Sequence, residues 1–175
     1  MAWIKLQQSG KEIIEQQEVA AFLESEEVIY EHWDVEKLPE NLRENFTLGD
    51  EDKEAILNTF KHEIREISER RGYKAQDVIS LSDSTPNLDA LLQNFKREHH
   101  HTDDEVRFIV SGHGIFVIQG RNGDFFEVNL DPGDLISVPE NIRHYFTLQE
   151  DRKVVAIRIF VTSEGWVPIY DTVAQ

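Results

Sequence analysis

The segment 105–138 reads EVRFIVSGHGIFVIQGRNGDFFEVNLDPGDLISV. Its short apolar runs are separated by glycine, asparagine, aspartate and proline, the residues that favour turns. Asn122-Gly123 predicts a two-residue hairpin turn, and Asp131-Pro132-Gly133-Asp134 predicts a second turn. Further apolar runs follow at 144–148 and 154–160. Five or six short strands, spaced by roughly ten residues, predict an antiparallel sandwich or barrel.

The chain before residue 100 predicts mostly helices. One helix begins at Asp50 and runs to about Arg71, and Gly72 ends it. A second helix begins at Thr85-Pro86-Asn87, where Thr85 is the cap and Pro86 takes the first helical position. Residues 12–24 predict a third helix, whereas 27–33 and 77–81 predict strands, the first of them at a sheet edge. The long helix has an apolar stripe of Ile56, Phe60, Ile64 and Ile67.

Composition limits the possible functions. The 175 residues predict a single domain, and they include 18 basic and 34 acidic residues for a net charge of −16. Such an acidic chain is not expected to bind nucleic acid or an anionic membrane surface, because both need a basic face. The apolar runs are far shorter than the roughly 20 residues of a membrane span, and the first residues lack the features of an export signal. We expect a cytoplasmic protein, with a monomer as the default state.

Histidines are clustered in one place, where His99, His100 and His101 are consecutive. In an extended segment, side chains at alternate positions share a face, so His99 and His101 converge while His100 points away. Glu105 lies four residues after His101, and His144 lies beside a later strand, after a turn and a proline. A hairpin pairing that returns His144 to this place would assemble three imidazoles and one carboxylate. Alone, the His-x-His pair also fits a solvated cluster.

Three imidazoles and a carboxylate suit a divalent transition metal such as iron, nickel, manganese or zinc better than calcium or magnesium. Four protein ligands leave two positions of an octahedral ion open, where a chelating substrate or dioxygen can bind. A closed structural zinc site usually contains cysteine, and the chain has none. The ligand types therefore favour a catalytic or substrate-binding metal.

Longer motifs around these residues resemble one known family. They are Glu98-His99-His100-His101-Thr102-Asp103-Asp104-Glu105-Val106-Arg107-Phe108, Gly133-Asp134-Leu135-Ile136-Ser137-Val138-Pro139 with His144, and Ala156-Ile157-Arg158-Ile159-Phe160 with Trp166. The two metal segments resemble the paired motifs of the cupin superfamily, and the whole set resembles the acireductone dioxygenases. The resemblance implies one mainly β domain over 1–175 with flanking helices. An α-rich N-terminal part, 1–97, would pack on a metal-binding, antiparallel cupin barrel (jelly roll), 98–170.

The resemblance also implies a reaction in methionine salvage. The enzyme would cleave an acireductone, 1,2-dihydroxy-3-oxo-5-(methylthio)pentene, with dioxygen, using one Fe2+ or Ni2+ per chain held by His99, His101, Glu105 and His144. With iron the products are formate and 4-methylthio-2-oxobutanoate, and with nickel they are formate, carbon monoxide and 3-methylthiopropanoate. Two alternatives stay open: another metal cupin, such as an isomerase or decarboxylase, and a non-enzymatic binding protein that contains a metal.

Other residues are candidates for roles beside the metal. Arg107 shares the inward face with the glutamate ligand and would stabilise the substrate anion, although a salt bridge on the barrel surface would also explain it. Arg158 interrupts an apolar strand, and it faces either outward or, as the resemblance favours, into the pocket. Asp104 is a candidate general base if a turn precedes the strand, and the alternative is a capping or solvated residue. Phe146 and Trp166 are candidate substrate-binding residues. Phe146 would form a wall for the thioether tail and Trp166 would close one end of the barrel. The alternative for both is packing in the core.

Overall fold

The computed structural model describes residues 2–82, 85–96 and 105–161, with the backbone alone for 94–96. The strands are β1 (Trp3–Leu6), β2 (Glu12–Ile13), β3 (Ile29–His32), β4 (Ala75–Leu81), β5 (Glu105–Gly112), β6 (Gly114–Gln119), β7 (Phe125–Leu130), β8 (Asp134–Val138), β9 (His144–Thr147) and β10 (Val154–Phe160). The helices are α1 (Gln16–Ser25), α2 (Asp50–Thr59), α3 (Lys61–Arg71) and α4 (Leu88–Lys96), with short 3-10 helices at Val35–Lys37 and Glu40–Leu42.

The strands form two five-stranded sheets. The first sheet has the order β2-β1-β7-β6-β9, and the second has the order β3-β8-β5-β10-β4. Neighbouring strands are antiparallel throughout both sheets. The two sheets enclose a shared apolar core, which confirms the predicted mainly β, antiparallel jelly roll of the cupin type. Both sheets also contain strands from the first 97 residues, because β1, β2, β3 and β4 lie there.

Two apolar clusters lie on opposite faces of the second sheet, and β5 contributes to both. Ile109 belongs to the interior cluster, between the sheets. Val106, Phe108 and Val110 belong to the outer cluster, between the second sheet and helices α2 and α3. Since successive strand residues point to opposite faces, Glu105 and Arg107 lie on the same side as Ile109. The predicted inward face of this strand is therefore confirmed.

The predicted helix from Asp50 to Arg71 is wrong in its continuity. The chain leaves helical geometry at Phe60, whose φ is −102° and ψ is 15°, so that α2 and α3 are separate. At the break the Phe60 ring packs in the outer cluster, 4.8 Å from the Phe108 ring and 6.4 Å from the Trp33 ring. Tertiary packing outweighs the local helical preference here. Gly72 ends α3 with φ 77°, as predicted.

Other boundaries of the predicted elements are also corrected. Residues 12–24 are not one helix, because Glu12–Ile13 pairs with β1 and α1 begins only at Gln16. Thr85 does not cap α4, which begins at Leu88. The Thr85 hydroxyl instead accepts a hydrogen bond from the Ser82 amide at 2.9 Å, within a turn. The strands predicted at 27–33 and 77–81 are confirmed as β3 and β4, the two edges of the second sheet.

Both turns predicted in the barrel are present, but one of them is shifted by one residue along the chain. Asp131 to Asp134 is a turn as predicted, closed by a hydrogen bond from the Asp134 amide to the Asp131 carbonyl at 3.0 Å. The β6–β7 turn is shifted by one residue, because the Gly123 amide donates to Gly120 at 2.9 Å. Gly123 therefore follows the turn, with φ 90°, instead of occupying its centre. None of the described helices is long and apolar enough to cross a membrane.

Candidate metal centre

Glu105 and His144 meet inside the barrel, although they come from different sheets. Glu105 begins β5 of the second sheet, and His144 begins β9 of the first. The carboxylate Oε2 of Glu105 pairs with Nε2 of His144. Both residues are buried, with 3% and 1% of their surface exposed. The fold thus brings together two of the four predicted metal ligands.

The backbone fixes the orientation of the His144 ring. Nδ1 lies 2.8 Å from the carbonyl oxygen of Ile142, so its N–H donates there and Nε2 faces Glu105. A metal-binding histidine is commonly held in this way, with the second ring nitrogen donating to a carbonyl. Burial lowers the pKa of His144, but the charge of Glu105 and hydrogen bonds to Glu105 and Ile142 outweigh it, so the pKa is raised.

The contact between Glu105 and His144 tests whether a metal ion fits this place. A carboxylate oxygen and an imidazole nitrogen are both electron-pair donors, so they can approach closely only with a proton or a cation between them. A divalent transition metal meets the same requirement, and it prefers these two donor types. The described part of the centre therefore fits the metal that the sequence predicts.

Arg107 lies beside the pair. Its Nη2 donates to Oε1 of Glu105 at 3.1 Å, and 2% of its surface is exposed. Its guanidinium carbon lies 4.4 Å from the centre of the Phe146 ring and 5.3 Å from that of Phe116. Burial lowers the pKa of Arg107 to about 10, while the charge of Glu105 acts in the opposite direction. Arg107 is therefore a buried cation at neutral pH, within the barrel and not on its surface.

Arg158 lies on the interior face of β10. Val154 and Ala156 of this strand belong to the interior cluster, and alternation places Arg158 on the same side. Arg158 is directly opposite Arg107 in the pairing of β10 with β5. Its Nε donates to Oδ1 of Asp77 at 2.8 Å, and a second N–H pairs with Oδ2. Of the two orientations that the sequence allows, the structure has the inward one, with 26% of the side chain exposed.

Phe146 is a wall of the same space. The residue is buried, and its ring centre lies 5.0 Å from that of Phe116. Gly114 makes room for it, since a Cβ at that position would lie 2.7 Å from the Phe146 ring. The two interpretations of Phe146 are compatible, because the ring is part of the core and also contacts the buried guanidinium of Arg107.

Four predicted site residues lie outside the described residues: His99, His101, Asp104 and Trp166. The structure therefore brings together Glu105, Arg107, His144, Phe146 and Arg158 from the predicted set. It adds contributors that sequence reasoning missed, namely Asp77, Gly114, Phe116 and the Ile142 carbonyl. One of them left a signal, since Asp77 is a charged residue at the start of the apolar run 78–81. The contact of His144 with the Ile142 carbonyl involves the backbone, so the pattern of side chains in the sequence does not indicate it.

A carboxylate and an imidazole that face each other across the interior of a jelly roll, beside a buried arginine, define the class of metal-binding cupins. Such a site can hold a cation and bind an anion next to it.

Comparisons with known proteins narrow this class to one family. A family model described as the ARD/ARD′ family matches residues 1–168. The chain is 72% identical over 172 residues to the acireductone dioxygenase of Bacillus subtilis (strain 168), covering 98% of this chain and 97% of that one. It is 66% identical over 170 residues to the acireductone dioxygenase of Bacillus cytotoxicus, with 97% and 100% covered.

A solved structure agrees with the sequence comparisons. It is that of an acireductone dioxygenase from Bacillus anthracis with a cadmium ion in its active center. It superposes with a TM-score of 0.95 at 65% identity, covering 97% of this chain and 98% of that one. The chain belongs to the acireductone dioxygenase family.

Proposed function

We propose that the protein cleaves the acireductone 1,2-dihydroxy-3-oxo-5-(methylthio)pentene with dioxygen, as a step of methionine salvage. The chain is a metal-dependent dioxygenase of its family, 72% identical to the Bacillus subtilis acireductone dioxygenase. The observation that carries the proposal is the buried pair of Glu105 and His144 within that framework. This membership favours the dioxygenase over an isomerase, a decarboxylase or a non-enzymatic binding protein.

Glu105 and His144 would hold one Fe2+ or Ni2+ per chain, together with His99 and His101. When bound, such an ion supplies Lewis acidity and a template that orients a chelating enediolate. The protein's part is to hold the ligands ready for the ion. The Ile142 carbonyl keeps the second nitrogen of His144 directed at the centre, and the N–H of Arg107 holds one oxygen of Glu105. Preorganised ligands need little rearrangement when the ion binds.

Arg107 would bind and stabilise the anionic substrate. Its charge persists at neutral pH, because its lowered pKa is still about 10. The Phe116 and Phe146 rings lie against its guanidinium. Aromatic rings at this distance exclude water, and an electrostatic interaction is stronger where water is excluded. Negative charge that develops on the substrate would therefore be stabilised at this place.

Further residues complete the proposed pocket. Arg158 would provide a second cation for the substrate, next to Arg107 on the same face of the sheet. Asp104 would take the proton of a substrate hydroxyl. Phe146 and Trp166 would enclose the thioether tail. We further propose that the protein is a monomer in the cytoplasm, which size-exclusion chromatography with light scattering and cell fractionation would test.

The proposal is tested with metal-free protein that is reloaded separately with iron and nickel. Each form is mixed with acireductone and dioxygen, and the products are identified. We expect formate and 4-methylthio-2-oxobutanoate with iron, and formate, carbon monoxide and 3-methylthiopropanoate with nickel. The protein without metal is the control, since acireductone also decays spontaneously. Decay no faster than this control with either metal would contradict the proposal.

A further inference from the structure

Asp77 is an acidic residue beside the proposed pocket, outside the metal ligands and the catalytic candidates. It lies on β4, the edge strand of the second sheet, directly opposite Arg158 of β10. Both of its carboxylate oxygens pair with the Arg158 guanidinium, one with Nε at 2.8 Å and the other with Nη2. A two-point contact of this kind fixes the plane of a guanidinium and not merely its distance.

The neighbours of Arg158 show why such a contact is needed. Arg158 lies between Asp77 on one side and Arg107 on the other, in one row across β4, β10 and β5. Like charges that are directly opposite on neighbouring strands repel each other. Each arginine in the row has a carboxylate that opposes this repulsion, Asp77 for Arg158 and Glu105 for Arg107.

We propose that Asp77 is a positioning residue that holds the Arg158 guanidinium in place beside Arg107, so that two cations can act on one anionic substrate. The effect of this contact on substrate binding rests on the proposed function, whereas the contact itself does not. Asp77 and Arg158 are 43% and 26% exposed, so water screens the pair and its contribution to the stability of the fold is modest.

The first test measures the orientation of Arg158 without turnover. Protein labelled with 15N-arginine is prepared metal-free, and the Nε–H signal of Arg158 is assigned by its loss in Arg158→Met. In the unmodified protein we expect this signal to be protected from exchange with water. In Asp77→Asn we expect exchange at least about tenfold faster, since the carboxylate that accepts the Nε–H is gone. Equal protection in the two proteins would overturn the proposal.

The second test asks whether Asp77 acts through Arg158. KM and kcat for acireductone are measured for Asp77→Asn, Arg158→Met and the double variant, each loaded with iron. We expect Asp77→Asn to raise KM about tenfold with a smaller change in kcat, because a misoriented cation weakens binding. The double variant should match Arg158→Met within about twofold, because one contact cannot be lost twice. Independent effects that multiply in the double variant would overturn the proposal.

Two further variants separate positioning from general damage. Asp77→Glu keeps the charge, and we expect it to restore part of the KM loss. Asp89→Asn is the matched control, since Asp89 pairs with Arg152 at 2.6 Å just before β10, at the end of the strand opposite to Arg158. Its KM should remain at the value of the unmodified protein, and an equal rise in Asp89→Asn would overturn the proposal. If the unmodified protein does not turn over acireductone, the proposed function fails, and the exchange measurement alone decides the role of Asp77.

Discussion

Arg107 is charged although the barrel interior surrounds it. Burial disfavours its charged form, and the charge of Glu105 offsets part of that cost. The Phe116 and Phe146 rings lie within reach of a cation–π interaction with its guanidinium. An arginine under these conditions is costly for stability and valuable for binding an anion. Alternation along β5 was sufficient to predict its inward orientation, whereas its aromatic neighbours come from strands that only the fold brings near.

Replacement of Arg107 by methionine should therefore lower kcat/KM by roughly 100-fold to 1,000-fold, because the substrate anion loses a buried cation. Arg107→Lys keeps the charge but loses the planar guanidinium that contacts the Phe116 and Phe146 rings, so a smaller loss is expected. Iron content is measured in both variants and kcat/KM is compared per bound iron, because Arg107 also orients the metal ligand Glu105. An Arg107→Met enzyme with iron bound and unaltered kcat/KM would exclude this role.

Gly114 has a specific steric role, because it makes room for the Phe146 ring. An added Cβ would lie 2.7 Å from the Phe146 ring, and Phe146 is buried. Gly114→Ala should therefore displace the ring that contacts Arg107, and it should reduce the free energy of unfolding by about 1–3 kcal/mol. Chemical denaturation gives the stability and steady-state kinetics gives the effect on activity. Gly49→Ala is the comparison, since its φ is −86° and the nearest atom to a Cβ there would lie 4.0 Å away. Full stability in Gly114→Ala would contradict the close contact.

The elements of the barrel show how far the sequence alone predicts this fold. Short apolar runs with turns between them predicted β5 to β10, because strand alternation and turn chemistry are local properties. The break between α2 and α3 was missed, because the apolar stripe of Ile56, Phe60 and Ile64 continues through it and all three pack in the outer cluster. Asp77 was missed for a similar reason, since its partner lies 81 residues away in sequence. The local sequence pattern was therefore sufficient to predict the strands. The partners of their side chains depend on the pairing of strands that are distant in sequence, so they were not predicted.

Phe60 tests how strongly the outer cluster holds α2 and α3 on the second sheet. Phe60→Ala should lower the free energy of unfolding by about 3–5 kcal/mol, because it removes a fully buried ring from the outer cluster. Ile14→Ala is the control, since Ile14 is 62% exposed and should change stability by less than about 0.5 kcal/mol. Both values come from urea titrations followed by circular dichroism. Similar losses in the two variants would show that Phe60 does not hold the helices to the sheet.

At the scale of the whole molecule, each of the two sheets contains strands from both halves of the chain. Strand β1 pairs with β7, and β4 pairs with β10, so residues before and after 98 share hydrogen-bonded ladders. The expectation of a single domain over 1–175 stays a prediction that this arrangement supports. Thermal unfolding of the metal-free protein should be one cooperative transition, with equal calorimetric and van't Hoff enthalpies. Two resolved transitions would indicate that the α-rich part and the barrel unfold separately.

The described half of the metal centre is tested most simply with a pair of histidine variants. His144 faces Glu105 inside the barrel and pairs with Ile118 near the end of β6, whereas His113 precedes the start of β6 and contacts Asp151 at 2.6 Å. After loading with iron, the unmodified protein and His113→Ala should each hold about one iron per chain and consume acireductone at similar rates. His144→Ala should lose both the iron and the activity. If His144→Ala keeps its iron and its full rate, the pair of Glu105 and His144 is not the metal centre.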